Sequence, residues 1–265
     1  MTADRVRARV FGEVADEYDR IRPGYPDQLV DDVLAYARLA PNDRALEVGA
    51  GTGRSTLAFA RRGVPIDAVE PDEAMAAVLM RRIAGHPGVT VTVCAFEDFM
   101  PGRPYGLLFS GQAWHWTDPA TRWHDAASAL APGGALALFW NHDRPTGAAM
   151  DVLRAVLSEH APNLVEDDDP IDGAALLAEW PHTELVTLAE FGELSQRLYL
   201  WRRVLSTQDY VGLLSTHSGY RVLDETTRTA LFRELSNRLG AEVELQMTSV
   251  LHLARRLDDS ASPAG

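Results

Sequence analysis

The 265-residue chain contains no lysine; all 25 of its basic residues are arginine. That absence removes Schiff-base chemistry and lysine general bases from the reactions open to it. Cysteine is nearly absent as well. Cys94, in the apolar run "VTVC", is the single thiol; no disulfide can close within the chain, which suits a reducing cytoplasm, and the residue reads as plain core. No apolar run approaches the roughly 18 residues of a membrane span. The N-terminal "MTADRVRARVFGEV" breaks its apolar residues with charges, so no secretory leader is expected. Positive charge is in deficit, with 38 acidic side chains leaving a formal net charge of −13. Such a surface repels phosphate backbones and anionic lipid, so neither nucleic acid nor a membrane is expected as a partner. A small-molecule substrate is expected, and the protein itself is expected to be a monomer or homodimer. Heavy use of Arg, Ala, Asp and Gly suits a GC-rich bacterial genome.

What is present is enough for a continuous core, with 46% hydrophobic and 24% charged residues. Short apolar runs alternate with amphipathic stretches over residues 44–140: "RALEV", "IDAVE", "VTVTVC", "YGLLFS" and "GALALFW" read as strands, with helices between them. That rhythm predicts βαβ units and a doubly wound parallel sheet. The first 40 residues read as two helices broken by "RPGYP". Beyond Trp140 the spacing predicts a helix over 146–160, an acidic loop at 166–170 and one or two strands over 184–200. Helices follow over 206–215 and 224–239, then a strand over 242–253 and a disordered tail "DDSASPAG". The whole is expected to be one domain, with no linker to separate independent units.

The stretch "RALEVGAGTGRST" carries glycines at Gly49, Gly51 and Gly53 directly after a strand. A dinucleotide loop of the G-x-G-x-x-G kind needs glycine where Arg54 stands. Glu47 also opposes a diphosphate there, because anion sites at helix N-termini rely on unopposed N–H groups. A carboxylate at that point favours an ammonium group instead. Glu70, at the end of the next strand, is placed to accept hydrogen bonds from a ribose diol. The implied ligand has a ribose and a cationic amino acid moiety but no phosphate, and S-adenosylmethionine fits that description.

"LEVGAGTG" resembles motif I of the class I S-adenosylmethionine-dependent methyltransferases, and "AVEPDEAM" resembles their second motif. "AFEDFMP", "FSGQAWHWTD", "LAPGGALALFWN" and the N-terminal "YDRIRPGYP" add to the likeness. Together they are similar to the broad small-molecule group that includes trans-aconitate-type enzymes, best over residues 11–142. The resemblance implies a Rossmann-like α/β fold of seven strands, the last pair antiparallel. Lid helices over residues 1–40 and a helical cap over 200–240 would close on the site. It implies that Glu47 and the backbone of Gly49, Ala50 and Gly51 hold the methionine part of the cofactor. Glu70 would take the ribose, Pro71 and Met75 would lie beside the adenine, and Phe96 and Glu97 would meet its edge. Where many relatives carry an acidic residue this chain has Ala95, which leaves Glu97 or Asp98 to pair with the exocyclic amine. Gln112 would line the cofactor, with Tyr18 and Arg22 closing over it and Arg22 facing its carboxylate.

Methyl transfer from a sulfonium chiefly needs alignment, worth roughly 7–11 kcal/mol, and a general base adds about 10²–10⁴-fold for a hydroxyl acceptor or an activated carbon. His115, in "QAWHWTD" beyond the fourth strand, is the first candidate base, with His217 and His142 behind it. Trp114 and Trp116 are expected to line the acceptor pocket with Tyr25. His115, Asp118, His124 and Asp125 lie close in sequence but lack zinc-ligand spacing, so no metal is expected. The expected activity is transfer of a methyl group from S-adenosylmethionine to a small organic acceptor, most naturally at oxygen. The alternative is a protein of this fold that binds the cofactor without transferring methyl, as a cyclase or a regulatory binder.

Overall fold

The computed structural model describes residues 19–165 and 172–258. Seven strands form one sheet: β1 (Ala45–Val48), β2 (Ile66–Val69), β3 (Val89–Thr92), β4 (Tyr105–Gly111), β5 (Leu130–Pro145), β6 (Phe191–Ser206) and β7 (Glu242–Arg256). Their order is β3-β2-β1-β4-β5-β7-β6. Strands β1 to β5 pair in parallel, and β7 inserts antiparallel between β5 and β6. The expected seven-stranded, doubly wound sheet with an antiparallel end is what the chain forms.

Alternation along the strands divides the core between the two faces of the sheet, as a period of two requires. Ala45, Leu107, Phe109, Ala137 and Phe139 face one side, where Phe59 stacks on Phe109 at 4.2 Å. Their neighbours Leu46, Leu108, Leu138 and Trp140 face the other, beside Trp123. Helices α1 (Asp27–Ala37), α2 (Arg54–Ala60), α3 (Glu73–Arg82) and α4 (Arg122–Ala129) flank this half of the sheet. Helix α3 starts where Asp72 accepts from the amides of Ala74 and Met75 at 2.9 and 3.0 Å, and it ends on Arg81 and Arg82, which suit its dipole. Helix α1 falls in the region expected to act as an N-terminal lid. It instead buries Leu29, Val30 and Val33 in the core of the sheet.

The second half builds a helical cap. After α5 (Ala148–His160) come α6 (Gly173–Ala178) and the short α7 (His182–Leu185); α8 (Thr207–Ser215), α9 (Ser218–Arg221) and α10 (Glu225–Arg238) fill the β6–β7 connection. Tyr210, Leu213, Leu231 and Leu235 bury a third core against Val156, Leu157, Leu245 and Met247. Two expectations are corrected here. Residues 182–185 are helical and the strand begins only at Phe191, and β6 runs through Ser206, so the cap starts at Thr207 rather than 200. Branched and aromatic residues bias a segment toward strand only weakly, and packing against the sheet decides. The expected acidic loop at 166–170 and most of the disordered tail lie outside the described residues. Among the described residues no helix is long and apolar enough to cross a membrane.

Candidate functional site

In an open parallel sheet the crevice forms where strand order reverses, beyond the carboxyl ends of the strands. Here that point lies between β1 and β4. A cavity of about 640 Å³ occupies it, running from the glycine loop to the cap. All three glycines of the loop have left-handed φ, +70° at Gly49, +56° at Gly51 and +88° at Gly53. A Cβ on Gly49 would collide with the Ala113 side chain, so the loop needs glycine there for space as well as for conformation. Gly53 caps α2.

Glu70 lines the cavity and is held by two backbone amides, from Gly51 at 2.7 Å and Asp72 at 2.8 Å. Burial pushes its pKa up to about 7 against these two hydrogen bonds. Glu47 is placed differently from expectation. It is fully buried beneath the loop, accepts a hydrogen bond from the Ser55 hydroxyl and does not line the cavity. It is the middle of a strand whose four residues are all buried, and its side chain turns toward α2 rather than toward the ligand space. Burial raises its pKa to about 7 as well.

The other residues expected to hold the cofactor gather at the cavity. Gly49, Ala50, Pro71 and Met75 line it near the loop, and Phe96 and Glu97 at the carboxyl end of β3. One oxygen of Glu97 is engaged by the Asp118 amide. Gln112 has a strained φ of +61° and donates from Nε2 to the Asn141 carbonyl at 2.9 Å, so its side chain braces β5. Arg22 reaches the cavity, but its Nε and Nη2 donate to the hydroxyl and carbonyl of Thr216 at 2.9 and 3.0 Å, tying the N-terminal segment to the cap. Tyr18 lies outside the described residues.

At the far end the turn Trp114–Trp116 separates its aromatic residues. His115 and Trp116 line the cavity, whereas Trp114 is fully buried between Phe96 and Trp123, with ring centroids 5.7 and 5.4 Å away. The expectation that Trp114 meets the acceptor is therefore corrected: a 3₁₀ turn places its successive side chains about a third of a turn apart, and this one points into the core. His115 Nδ1 accepts from the Trp140 indole at 3.3 Å, and burial followed by the Arg122 charge lowers its pKa to about 4. Tyr25, His142 and His217 also line the cavity. The reading of single residues did not find Asn141, Asp143 or Tyr220, which line it too. "NHD" held a signal for the first two, since polar residues there follow directly on the apolar run "GALALFW".

His124 is exposed on α4. Among the described residues the one trio with ligand atoms close together is Glu159, His160 and Glu234. There Glu234 already pairs with His160 at 2.6 Å and with Arg238 at 3.0 Å.

A doubly wound sheet with a glycine loop and a buried carboxylate side by side at its switch-point cavity is the fold of the S-adenosylmethionine-binding transferases. A family model described as a methyltransferase domain matches residues 45–134. An uncharacterized methyltransferase of Mycobacterium tuberculosis is 31% identical over 209 residues, covering 78% of this chain and 76% of the relative. The chain belongs to the class I S-adenosylmethionine-dependent methyltransferases, and S-adenosylmethionine is its cofactor. Solved structures agree on the fold. A proposed type II methyltransferase of Anaeromyxobacter dehalogenans superimposes with a TM-score of 0.61 at 22% identity, covering 89% of this chain and 98% of the other. A phosphoethanolamine N-methyltransferase 2 of Haemonchus contortus, in complex with S-adenosyl-L-methionine, has a TM-score of 0.54 at 15% identity, covering 97% and 61%.

Proposed function

We propose that the protein transfers the methyl group of S-adenosylmethionine to an oxygen, hydroxyl or carboxylate, of a small organic molecule. The observation that carries this reading is the cavity of about 640 Å³ running from the glycine loop to His115, His142 and His217. Its volume is that of a site for drug-sized ligands, enough for the cofactor and a compact acceptor. The net charge of −13 points the same way, because it disfavours RNA and DNA.

In this reading Glu70 accepts the ribose hydroxyls, since each of its oxygens keeps a lone pair beyond the one taken by Gly51 or Asp72. Phe96 and Met75 flank the adenine, and the backbone of Gly49 to Gly51 follows the methionine part. Glu47 acts from behind, holding the first turn of α2 through Ser55. When bound, the cofactor supplies an electrophilic methyl carbon activated by a positive sulfur. The chain's own task is to align the acceptor oxygen with it, and the faces of Trp116 and Tyr25 favour the positive charge by about 0.5–2 kcal/mol. Secondary metabolism in a bacterial cytoplasm is the setting we assign to it.

Calorimetric titration with S-adenosylmethionine, S-adenosylhomocysteine and NADH tests the cofactor site. Micromolar binding of the first two and none of the third is expected. Release of S-adenosylhomocysteine with small hydroxylated and carboxylated acceptors, together with no gel shift of RNA or DNA at physiological salt, tests the rest. A nucleic-acid shift without small-molecule turnover overturns the reading.

A further inference from the structure

A side cavity of about 80 Å³ adjoins the acceptor end of the main cavity, and Asp143, Leu164, His217 and Tyr220 line both. At this junction His217 Nε2 lies 3.7 Å from Asp143 Oδ1, is closed off from solvent and has no hydrogen-bond partner. The two residues come from opposite sides of the site. Asp143 sits near the end of β5, and His217 directly precedes α9 in the cap.

The three cavity histidines are not chemically equivalent. His115 Nδ1 accepts from the Trp140 indole, which places the ring proton on Nε2 and makes His115 a hydrogen-bond donor toward anything beside it. His217 faces a carboxylate instead. A carboxylate at Nε2 draws the proton to that nitrogen and leaves Nδ1 as the ring's acceptor. The charged groups around His217 are Arg22 on the N-terminal segment, Asp143 on β5 and, beside Asp143, Arg203 on β6, which also faces Asp209 of α8. Burial first, and then the Arg22 charge, push the His217 pKa down to about 3, so the ring is neutral in the free protein. It gains the basicity of a proton acceptor only as the cap closes and brings Asp143 against it.

We propose that Asp143 and His217 form the proton-accepting pair for a hydroxyl acceptor, with Asp143 as the positioning residue and His115 as a hydrogen-bond donor to the same substrate. The inference rests on the methyl-transfer reading above. In the step a lone pair on the acceptor oxygen forms the new C–O bond, the C–S electron pair returns to sulfur, and the O–H proton passes to His217 and later to solvent. One positive charge leaves the sulfur as one appears on the imidazole, so the net charge of the site is constant. The new imidazolium stands beside Asp143. A gap of 3.7 Å is within what a closing cap can take up, because catalytic hydrogen bonds are often long before substrate binds. The side cavity, lined by Met150, Leu153 and Leu157 together with Arg144 and Arg154, would take a further arm of the acceptor.

The test uses the full chain with three readouts: S-adenosylhomocysteine affinity by calorimetry, imidazole ¹⁵N shifts of its complex, and turnover of S-adenosylmethionine with phenols, aliphatic alcohols and carboxylic acids. The expected result is turnover of hydroxyl acceptors. His217→Gln should lower kcat by about 10²–10⁴-fold and Asp143→Asn by a smaller factor, with S-adenosylhomocysteine affinity within twofold of the parent. The ¹⁵N shifts should show protonated Nε2 at both His115 and His217, and Asp143→Asn should abolish the preference at His217 alone. Retained affinity shows that both variants fold. An unchanged kcat in His217→Gln, an unchanged His217 tautomer in Asp143→Asn, or turnover confined to carboxylic acids overturns the pair. So does a complete lack of hydroxyl turnover by a protein that binds S-adenosylhomocysteine, and the methyltransferase reading then stands without it. Failure of the parent protein to bind S-adenosylhomocysteine overturns the functional reading itself, and the pair with it.

Discussion

Glu70 accepts the Gly51 amide hydrogen at 2.7 Å, so the carboxylate that ends β2 is bonded directly to the glycine loop that follows β1. One residue thereby shapes the loop and presents a charge to the cavity. Glu70→Ala should weaken S-adenosylhomocysteine binding by about 1.5–3 kcal/mol, the range for charge-assisted hydrogen bonds. Calorimetry reads this as a Kd raised roughly ten- to a hundredfold. An unchanged Kd contradicts the ribose assignment.

The same carboxyl should make binding depend on pH. Burial holds its pKa near 7 in the free protein, whereas hydroxyl donors favour the ionised form and lower that value on binding. Ligand binding then releases a proton, and affinity rises as pH increases from about 6 to 8. Titration in buffers of different ionisation enthalpy measures the proton directly, and Glu70→Gln should remove both the release and the slope.

The parallel half of the sheet and the glycine loop were legible in the sequence because their signals are local. "ALEV", "IDAV" and "YGLLFSG" are short apolar runs ended by glycine or a polar residue, and the structure starts and stops them within a residue or two of expectation. The burial of Trp114 was not legible, although the place of His115 at the cavity was. They are neighbours, and a single 3₁₀ turn sends one into the core and the other to the cavity. The partners of Arg22 and Asn141 were equally hidden, since Thr216 lies 194 residues from the first and Gly24 lies 117 residues from the second. Contacts of that separation follow from how the cap lands on the sheet, which no local pattern encodes.

Gly49→Ala should damage the site more than its single methyl suggests. The residue adopts φ +70° and the added Cβ would meet Ala113, which precedes the turn carrying His115. Either the loop or the β4 end must shift. The expected outcome is a lower Tm together with a loss of S-adenosylhomocysteine binding beyond what the Tm change explains, measured by thermal shift with and without ligand. A variant that binds normally overturns the close-approach argument.

Glu47 should leave a signature in stability rather than in binding. Its pKa is about 7 in the folded protein against an ordinary 4.5, so the folded state holds a proton that the unfolded chain releases. The sign follows: this contribution is complete below about pH 4.5 and is lost as pH rises through 7, up to about 3 kcal/mol at 1.36 kcal/mol per pH unit. Urea unfolding of wild type and Glu47→Gln at pH 5 and pH 8 measures it. The difference in stability between the two proteins should shift with pH in favour of the variant at pH 8. A constant difference would show that Glu47 is ionised throughout.

Arg22 is the place to separate closure from contact. Its bonds to Thr216 join the segment after residue 19 to the cap, and Arg20 adds an ion pair with Asp209 on the same cap helix. At the other end Asp19 pairs with Arg82 and lies 3.6 Å from Arg54, both next to the glycine loop. The segment thus bridges the cofactor half and the cap, with the cavity beneath it. Removing one anchor should raise the rate of ligand escape more than it alters encounter, because closure acts after binding. Stopped-flow measurements on Arg22→Ala should show faster S-adenosylhomocysteine dissociation with an association rate within a factor of about two, in keeping with the rule that affinity changes fall mostly on dissociation. Equal losses in both rates would mean that Arg22 contacts the ligand itself, and the carboxylate role implied by the family pattern would then be the better account.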